Sequence, residues 1–436
     1  MSARSPDWMT RSCVCAVLTT VAMLAGCGGS SASHDHPTPT SNVPPAAVLK
    51  ARQDHTAVSP DIVTADNTFG LNVLLKLQSQ QGPVNIALSP LSLSIALQIL
   101  YNGAAGATQD AMTQTLQLGS LTKQQVNDDN AALQGSLLVA DPHVELTIAN
   151  SLWMHQDKNA VLPAFTQMDA DYYGAKLGDL AGAPANVNDW VEEQTHGLIT
   201  NILPPDDYSS VTAVIANAVY FKGTWTTIFD PTNTRPAPFT LTDGSSTSVA
   251  MMHQTGTFAY LHSAGFQMLR LPYGGGRLSM LILLPDTGTS LQSLLPTITA
   301  DAVDNWAGQM HDQYGEIGLP KFTARSNSNL QPVLRELGMG IVFNCPPQGG
   351  GEPVADFSAL TSDSVCVTNI LHNALVQVDE HGTVAAGATT VVVGPTSAGP
   401  GFSIIVDHPF FYAIRDDDTG DLMFIGTLLD PTATSM

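Results

Sequence analysis

Apolar residues recur with a helical period through the first half of the globular part of the chain. A long apolar stretch at residues 91–102 follows Ser89-Pro90 and ends before Gly103. Proline suits the first turn of a helix and glycine suits its end, so this spacing predicts a helix with defined ends. Further helices are predicted around residues 69–77, 109–118, 122–139, 188–199 and 329–337.

Strand-like patterns dominate after residue 210. Segments rich in Val, Ile, Phe and Leu, bounded by clusters of turn residues, lie at residues 213–221, 266–272, 278–284, 364–379 and 410–415. Helices therefore come first and strands later, without the regular alternation that is typical of a parallel α/β sheet. This order predicts an α+β fold.

The N-terminus has the pattern of a secretory signal, with Arg4 and Arg11 before an apolar run that is too short to span a bilayer. The run ends in Leu-Ala-Gly-Cys at residues 24–27, which resembles a bacterial lipobox. That resemblance implies cleavage of residues 1–26, lipid on the Cys27 sulfur and stable anchoring by more than one acyl chain. We therefore expect an exported protein held by lipid in the cell envelope, at the outer membrane or cell surface. An ordinary signal peptide, in which Cys27 is incidental, is the alternative.

Residues 27–60 are rich in Gly, Ser, Pro and Thr, and we expect them to form a flexible tether before the globular part. The chain of 436 residues has 38 Asp and Glu against 16 Lys and Arg, which is a formal net charge of -22. Such a chain repels polyphosphates, which argues against nucleic acid and heparin as partners. No segment after residue 30 has the length of an uncharged apolar membrane helix.

The chain contains five cysteines. Cys13 and Cys15 leave with the signal and Cys27 carries the lipid, so Cys345 and Cys366 remain in an exported, disulfide-permissive setting. These two can form a disulfide or remain as buried thiols, and the sequence leaves both alternatives open.

Enzyme signatures are absent from the sequence. It contains no GxSxG, HExxH or CxxC motif and no P-loop, and its 12 histidines show no metal-ligand spacing. Residues 416–421 look like a calcium loop, but the position of Gly420 and the lack of a later glutamate favour a turn between strands. We therefore predict no catalytic residue, no metal and no cofactor. A hydrolase with a triad built from distant residues is an alternative.

The segment from Thr383 to Val406 contains no charged residue. Its first part, residues 383–393, combines small and β-branched residues and lacks proline, since the first proline is Pro395. Such a segment can join the middle of a sheet with every amide paired and no charge buried on either face. Residues 394–401, Gly-Pro-Thr-Ser-Ala-Gly-Pro-Gly, then predict an exposed stretch that a protease could engage.

Residues 379–389, Asp-Glu-His-Gly-Thr-Val-Ala-Ala-Gly-Ala-Thr, resemble the hinge of the inhibitory serpins, a family of protease inhibitors. Further resemblances to serpin segments follow the same chain order, at residues 85–112, 188–197, 217–225, 319–322 and 407–411. Together they cover nearly all of residues 62–431. The resemblance implies an α+β serpin fold in which residues 61–436 form one domain of three β-sheets with eight or nine helices. It also implies an exposed reactive-centre loop at about residues 382–402.

The same resemblance implies how the chain acts. A target serine protease, or a cysteine protease, cleaves the loop and is trapped as an acyl-enzyme while the loop inserts as a strand into the large sheet. The residues implied by position are the hinge (Glu380, Gly382, Thr383, Ala385, Ala386, Gly387 and Ala388), a polar cluster beneath the sheet (Ser89, Ser92, Asn217 and His372), and Trp225 where the loop first enters.

Counting along the loop from Gly382 places the scissile bond between Thr396 and Ser397, whereas counting back from Pro409 places it at Ala398. These residues are small and uncharged, so we expect targets with shallow or apolar pockets, as in elastase-like or subtilisin-like proteases. The helix predicted at residues 122–139 has one basic residue, Lys123, which argues against heparin. We expect a monomer, and a non-inhibitory serpin that acts as a surface binding or carrier module is the alternative.

Overall fold

A computed structural model describes residues 44–138, 140–155, 160–345, 354–383 and 401–433. The chain from Pro44 onward forms one compact unit. The α-helices are α1 (Ala46–Gln53), α2 (Pro60–Gln81), α3 (Pro90–Gly103), α4 (Gly106–Thr115), α5 (Lys123–Leu137), α6 (Pro163–Tyr172), α7 (Ala185–Gln194), α8 (Leu291–Leu294), α9 (Ala300–Gln309) and α10 (Gln331–Leu334). Short turns of other helix types cover Pro231–Asn233, Leu295–Thr297, Arg335–Met339 and Gly340–Phe343.

The strands form two hydrogen-bonded networks among the described residues. The strands are β1 (Ile86–Leu88), β2 (Val144–Met154), β3 (Lys176–Asp179), β4 (Ala213–Thr224), β5 (Arg235–Thr240), β6 (Ser246–Ser263), β7 (Phe266–Pro272), β8 (Leu278–Pro285), β9 (His311–Pro320), β10 (Phe322–Asn329), β11 (Asn369–Asp379), β12 (Gly382–Thr383), β13 (Phe402–Ile405), β14 (Phe410–Asp416) and β15 (Leu422–Leu428).

Six strands form the large sheet, in the order β10-β11-β12-β4-β2-β3. The central strand β4 is buried on both faces, as its apolar sequence predicts. Residues such as Val214 and Ala216 pack with α7 on one face, whereas Ile215 and Val219 pack with α3 in the main core on the other. Side chains alternate along a strand, so Asn217 points to the same face as Ile215 and Val219.

The long strand β6 connects the remaining strands into the second network. Its beginning pairs with β5, its middle pairs with β9, and its last residues pair with β7, which continues through β8, β14 and β15 to β1. β13 pairs with β9. The family resemblance implies three sheets. In the structure, one of them is the large sheet, and the other two are portions of the second network that have β6 in common.

Most of the predicted elements are confirmed within the described residues. β7 has the predicted bounds, and α3 begins at Pro90 with Ser89 as its N-cap. α7 ends earlier than predicted, at Gln194, because the chain takes left-handed conformations at His196 and Gly197. The α+β class is confirmed. The predicted order of helices first and strands later is wrong, because β1, β2 and β3 lie among the helices.

The helix α1 lies inside the segment that was predicted to be a flexible tether. Val48 on this helix is 1% exposed, and α1 crosses α5 at Gly135, where an added side-chain carbon would lie 2.9 Å from the Val48 carbonyl oxygen. The tether prediction for residues 27–60 is therefore wrong for Ala46–Gln53, because an apolar side chain docks where glycine leaves room. With α1 included, the described residues contain ten α-helices rather than eight or nine.

Candidate functional site: the gap between two strands of the large sheet

The short strand β12 lies between β11 and β4 at one end of the large sheet. Thr383 pairs with Val378 on β11 and with Gly223 on β4, and its side chain is fully buried. Beyond β12 the two longer strands pair directly with each other, in parallel, down to Asn369 opposite Val214. At one end of the sheet β12 therefore separates β4 from β11, and along the rest these two strands pair directly with each other. We call the whole line between β4 and β11, including the part that is closed, the strand gap.

The family resemblance places an exposed loop at about residues 382–402, and the structure corrects both of its ends. Gly382 and Thr383 are buried in β12, because strands on both sides pair with their backbone. Phe402 is buried at the start of β13, where its ring stacks on Tyr260 with centroids 4.0 Å apart. Eight predicted residues lie outside the described part of the chain: Cys27, Ala385, Ala386, Gly387, Ala388, Thr396, Ser397 and Ala398.

Gly382 occupies a position that accepts no side chain. Its φ is 147°, and an added side-chain carbon would lie 2.0 Å from the Gly223 carbonyl oxygen. That distance is far below van der Waals contact, so another residue here would have to leave the gap. The glycine of the predicted hinge is thus the residue that lets the chain turn into the sheet.

Trp225 lies at the parted end of the gap, together with a residue that sequence analysis missed. Its indole donates a hydrogen bond of 3.0 Å to the Asp379 carbonyl, and its backbone amide donates one of 2.8 Å to the His381 carbonyl. The Tyr273 ring stacks on Trp225 with centroids 4.4 Å apart, and the Tyr273 and Thr383 hydroxyls lie 2.7 Å apart. The turn into β12 and the first residue within the gap are therefore held by one aromatic pair.

Glu380 connects the same turn to segments that lie between strands. Its carboxylate accepts hydrogen bonds from the Lys321 ammonium at 2.7 Å and from the Thr234 hydroxyl at 2.8 Å. Its carbonyl accepts one from the Phe229 amide at 2.9 Å. Burial raises the pKa of Glu380, but the hydrogen bonds from Lys321 and Thr234 outweigh burial and hold that pKa below its usual value. Glu380 is thus an ionised anchor at the entrance of the gap.

A buried polar cluster crosses the closed part of the gap. His372 on β11 lies directly opposite Asn217 on β4, and the Asn217 side-chain amide donates to the Ser92 hydroxyl at 2.6 Å. Ser92 in turn donates its backbone amide to the Ser89 hydroxyl at 3.2 Å. Asn150 on β2 accepts from Asn217 at 2.6 Å and was not predicted. The structure thus brings together all four residues that were predicted to lie beneath the sheet.

The hydrogen bonds of His372 define its protonation. The Ser89 amide donates to Nε2 at 3.1 Å, so Nε2 carries no proton. Nδ1 therefore carries the proton and donates to the Asn217 side-chain oxygen at 2.6 Å. Burial lowers the pKa of His372 to about 3, so the ring stays neutral at physiological pH.

Cys345 and Cys366 form a disulfide with a Cα–Cα distance of 4.8 Å. Cys366 is fully buried and lies just before β11, whereas Cys345 is exposed and follows the helical turn Gly340–Phe343. Of the two alternatives that the sequence left open, the structure has the disulfide.

No group of three His, Cys, Asp or Glu side chains in the described part of the chain could hold a metal ion. No helix within the same part is long and apolar enough to cross a membrane. Residues 417–421 form the connection between β14 and β15, and Asp416, at the end of β14, is bound by Arg277 at 2.7 Å.

The fold and the gap define a class of protein in which a short strand, Gly382–Thr383, separates two long strands at one end of the large sheet. A family model described as Serpin (serine protease inhibitor) matches residues 64–431. The chain therefore belongs to the serpin family, and the resemblance noted from the hinge is confirmed. Serpins are inhibitors of proteases, so this chain is a protease inhibitor and not a catalytic enzyme.

Relatives and solved structures agree with this assignment. Neuroserpin of Gallus gallus is 31% identical over 389 residues, which cover 86% of this chain and 92% of that protein. A serpin-like protein of Thermococcus kodakarensis is 31% identical over 446 aligned positions, with coverage of 95% and 98%. The thermophilic serpin tengpin in its native state aligns with a TM-score of 0.76 and 26% identity, covering 86% of this chain and 95% of that one. Native protease nexin-1 with heparin aligns at 0.75 and 27%, covering 86% and 100%.

Proposed function

We propose that this serpin inhibits its target as a suicide substrate. The target protease cleaves the chain beyond Thr383 and forms an acyl-enzyme through its own nucleophile. The freed segment then enters the strand gap before the acyl-enzyme is hydrolysed. The observation that carries the proposal is that β12 already lies between β11 and β4, paired on both sides. An inserting segment would extend an existing strand instead of starting a new one.

The pairing of β12 supports the proposal further, because it fixes the register of any strand that continues it. β12 runs antiparallel to both neighbours, so each further residue would stand opposite the preceding residue of β4 and of β11. Continued in this way, Thr389 would stand between Asn217 and His372. Val393 would then stand opposite Ala213, where β4 begins. The segment without charge or proline, residues 383–393, matches the length of the gap.

The closed part of the gap can accept such a strand without burying unpaired backbone. β4 and β11 now form one parallel pair, which an inserted strand would replace with two antiparallel pairs. The 2.6 Å hydrogen bond between His372 and Asn217 would have to break, and the Thr389 hydroxyl offers both residues a new partner. The inserted form gains hydrogen bonds and buried area, so the native form persists for kinetic reasons.

The proposed scissile bond is Thr396–Ser397, with Ala398 as the second candidate. Small uncharged residues on both sides suit an elastase-like or subtilisin-like pocket. A trypsin-like pocket would leave its carboxylate without a partner, which disfavours that class of target. A papain-like cysteine protease is a further candidate target.

The experiment that tests the proposal incubates the protein from residue 44 onward with pancreatic elastase and with subtilisin. We expect a covalent complex that survives denaturing electrophoresis, and a released peptide that begins at Ser397. Thr383→Arg should convert the inhibitor into a substrate, because a buried charge would block entry at β12. Thr242→Arg, at an exposed turn, is the matched control and should inhibit like the wild type. Clean cleavage of the wild type without a complex would contradict the proposal and favour the carrier role.

We also propose that the inhibitor is exported and held in the cell envelope by lipid on Cys27. The support is the sequence pattern of residues 1–27, which ends in Leu-Ala-Gly-Cys. Cys27→Ser should release the protein from the membrane fraction, whereas retention of this variant would refute the anchor. Membrane fractionation of cells that express the full chain makes this measurement.

We propose that heparin does not activate this inhibitor. The ammonium of Lys123, at the start of α5, donates to the Ala104 and Asn102 carbonyls at 2.6 and 3.2 Å. It is therefore engaged with the protein's own backbone. Protease nexin-1, with which the fold aligns, was solved with heparin, so the two proteins offer a direct comparison. We expect heparin to leave the inhibition rate of this chain unchanged.

A further inference from the structure

The far end of the strand gap, opposite β12, is closed by a set of hydrogen bonds outside the regular pairing. The Thr368 amide donates to the Ala213 carbonyl at 2.9 Å, and the Thr212 amide donates to the Thr368 hydroxyl at 3.4 Å. The Thr212 hydroxyl lies 3.7 Å from the sulfur of Cys366. These contacts join the start of β4 and the residue before it to the residues just before β11. They cross the line along which the sheet has to open.

One side of this closure is fastened twice to the body of the protein. The Val367 amide donates to the Val342 carbonyl at 3.1 Å, and the disulfide links Cys366 to Cys345, just beyond the same helical turn. Arg335 stabilises that turn by donating hydrogen bonds to the Gly340 carbonyl at 3.2 Å and to the Phe343 carbonyl at 3.0 Å. The β11 side of the closure is therefore fixed. No comparable covalent link holds Thr212 within the described residues.

The register of β12 brings the end of an inserted strand to this closure. The same count that sets Thr389 between His372 and Asn217 sets Val393 between Ala213 and Thr368. The 2.9 Å hydrogen bond from Thr368 to Ala213 now joins the two residues between which Val393 would have to lie. Insertion can therefore proceed along most of the gap with this bond intact, but it completes only when the bond breaks.

We propose that Thr212, Ala213, Thr368 and the Cys345–Cys366 disulfide form a redox-sensitive clasp that limits the completion of strand insertion. This inference rests on the proposed function, and it adds a control element at the opposite end of the gap from the hinge. While the disulfide is intact, the clasp opens only by displacement of the β4 side. When the disulfide is reduced, both sides can move and the clasp opens more readily.

The redox step requires a dithiol as co-reactant. Cys345 is exposed and Cys366 is buried, so a reagent thiolate attacks the Cys345 sulfur and displaces Cys366 as a thiolate, which takes up a proton. The second thiol of the reagent then attacks the mixed disulfide and closes the reagent's own disulfide. The protein gains two thiols and the dithiol loses two electrons, so the exchange is balanced.

The clasp is tested by the rate at which the sheet takes up a strand in the absence of a protease. The probe is an acetylated peptide with the sequence of residues 384–393, which would continue β12, and uptake is followed by the gain in thermal stability and by native electrophoresis. We expect uptake to be about fivefold faster for Cys345→Ser/Cys366→Ser, for wild type reduced with dithiothreitol, and for Thr368→Val. Thr247→Val, on β6 and away from the gap, should match the oxidised wild type.

The outcomes separate this inference from the proposed function. If oxidised wild type takes up peptide and traps a protease, but the three altered forms react no faster, the clasp is refuted while the proposed function stands. Slower uptake by the altered forms would refute it equally. If wild type neither takes up peptide nor traps a protease, the proposed function fails and the clasp fails with it. Should the double cysteine variant not fold, reduced wild type and Thr368→Val decide the question.

Discussion

The hydroxyl of Tyr273 lies 2.7 Å from the hydroxyl of Thr383, the residue at which the chain enters the large sheet. Tyr273 is fully buried and stacks on Trp225, whose indole is bonded to the Asp379 carbonyl at 3.0 Å. A rigid aromatic pair therefore holds the first inserted residue and the turn that precedes it. In this arrangement Gly382 and Thr383 of the predicted hinge are already part of the sheet.

The hydrogen bond between Tyr273 and Thr383 should stabilise the inserted hinge measurably. We expect Tyr273→Phe to loosen β12, because a buried hydroxyl–hydroxyl bond contributes about 1 kcal/mol. The measurement is amide hydrogen exchange at Thr383 and Gly223, which should speed up while exchange in β7 and β8 stays unchanged. The stoichiometry of inhibition should change with it if the hinge position controls insertion.

A double-mutant cycle separates this bond from the loss of the hydroxyl itself. Tyr273→Phe, Thr383→Val and the double variant should show a coupling energy of about 1 kcal/mol in the unfolding free energy. Tyr260→Phe is a matched control, since the Tyr260 hydroxyl donates to Gln267 at 2.8 Å, away from the gap. Additive effects of the two substitutions would show that the two hydroxyls do not stabilise each other.

Gly382→Ala should expel the hinge from the sheet. An added carbon would lie 2.0 Å from the Gly223 carbonyl oxygen, and no nearby side chain can move to make room for it. We expect Gly223 and Val378 to lose their pairing with Thr383 and to exchange their amides faster. Gly244→Ala is a control for left-handed glycine, because Gly244 has a φ of 82° with no neighbouring atom within 4 Å of an added carbon. Equal exchange rates in wild type and Gly382→Ala would contradict the steric argument.

Local sequence patterns predicted the elements whose ends are marked by characteristic residues. Ser89-Pro90 and Gly103 define α3, and apolar residues bounded by turn residues define β7 with its observed bounds. α1 was missed because its docking depends on Gly135, which lies far away in sequence and on another helix. A helix of eight residues with one buried valine has no periodic pattern strong enough to reveal it.

The predicted part of the site came from residues in recognisable segments, and the rest depends on tertiary packing. Trp225, Asn217 and His372 could be placed because their segments resemble those of serpins. Tyr273 could not, because it directly follows β7 before a glycine-rich turn, and its place at the gap depends on stacking against Trp225. Asn150 lies in a strand that no pattern indicated.

Asp66 should make the native state less stable as the pH rises. It is fully buried on α2, where Gln98 donates to it at 2.9 Å, and burial raises its pKa from 3.8 to about 8. A raised native pKa stabilises the protein fully below pH 3.8, and this contribution is lost as the pH rises to about 8. Asp421, also fully buried and repelled by Asp66, has its pKa raised in the same direction.

Asp66→Asn should remove this dependence, because asparagine resembles a protonated aspartate and still accepts from Gln98. The advantage of wild type over the variant in unfolding free energy should shrink by about 1.4 kcal/mol per pH unit between pH 5 and 8. Urea unfolding of both proteins at three values of pH in that range is the measurement. Asp243→Asn, at an exposed turn, is the control and should show no such trend in this range.

His372 should have the opposite dependence at acidic pH. Burial lowers its pKa from 6.5 to about 3. Between these two values of pH, the unfolded chain binds a proton at His372 and the native protein does not. The stability that neutral His372 provides is complete above pH 6.5 and is lost as the pH falls towards 3.

His372→Asn does not titrate, and its amide can still donate to Asn217. The advantage of wild type over this variant should fall by about 1.4 kcal/mol per unit between pH 6 and 4. Urea unfolding at pH 4.5, 5.5 and 7.5 measures it, and because both proteins retain Asp66 and Asp421, the opposing effect of those carboxyls cancels in the comparison. A difference between the two proteins that stays constant over this range would mean that Nε2 of His372 can take up a proton without loss of stability, although the Ser89 amide donates to it in the native state.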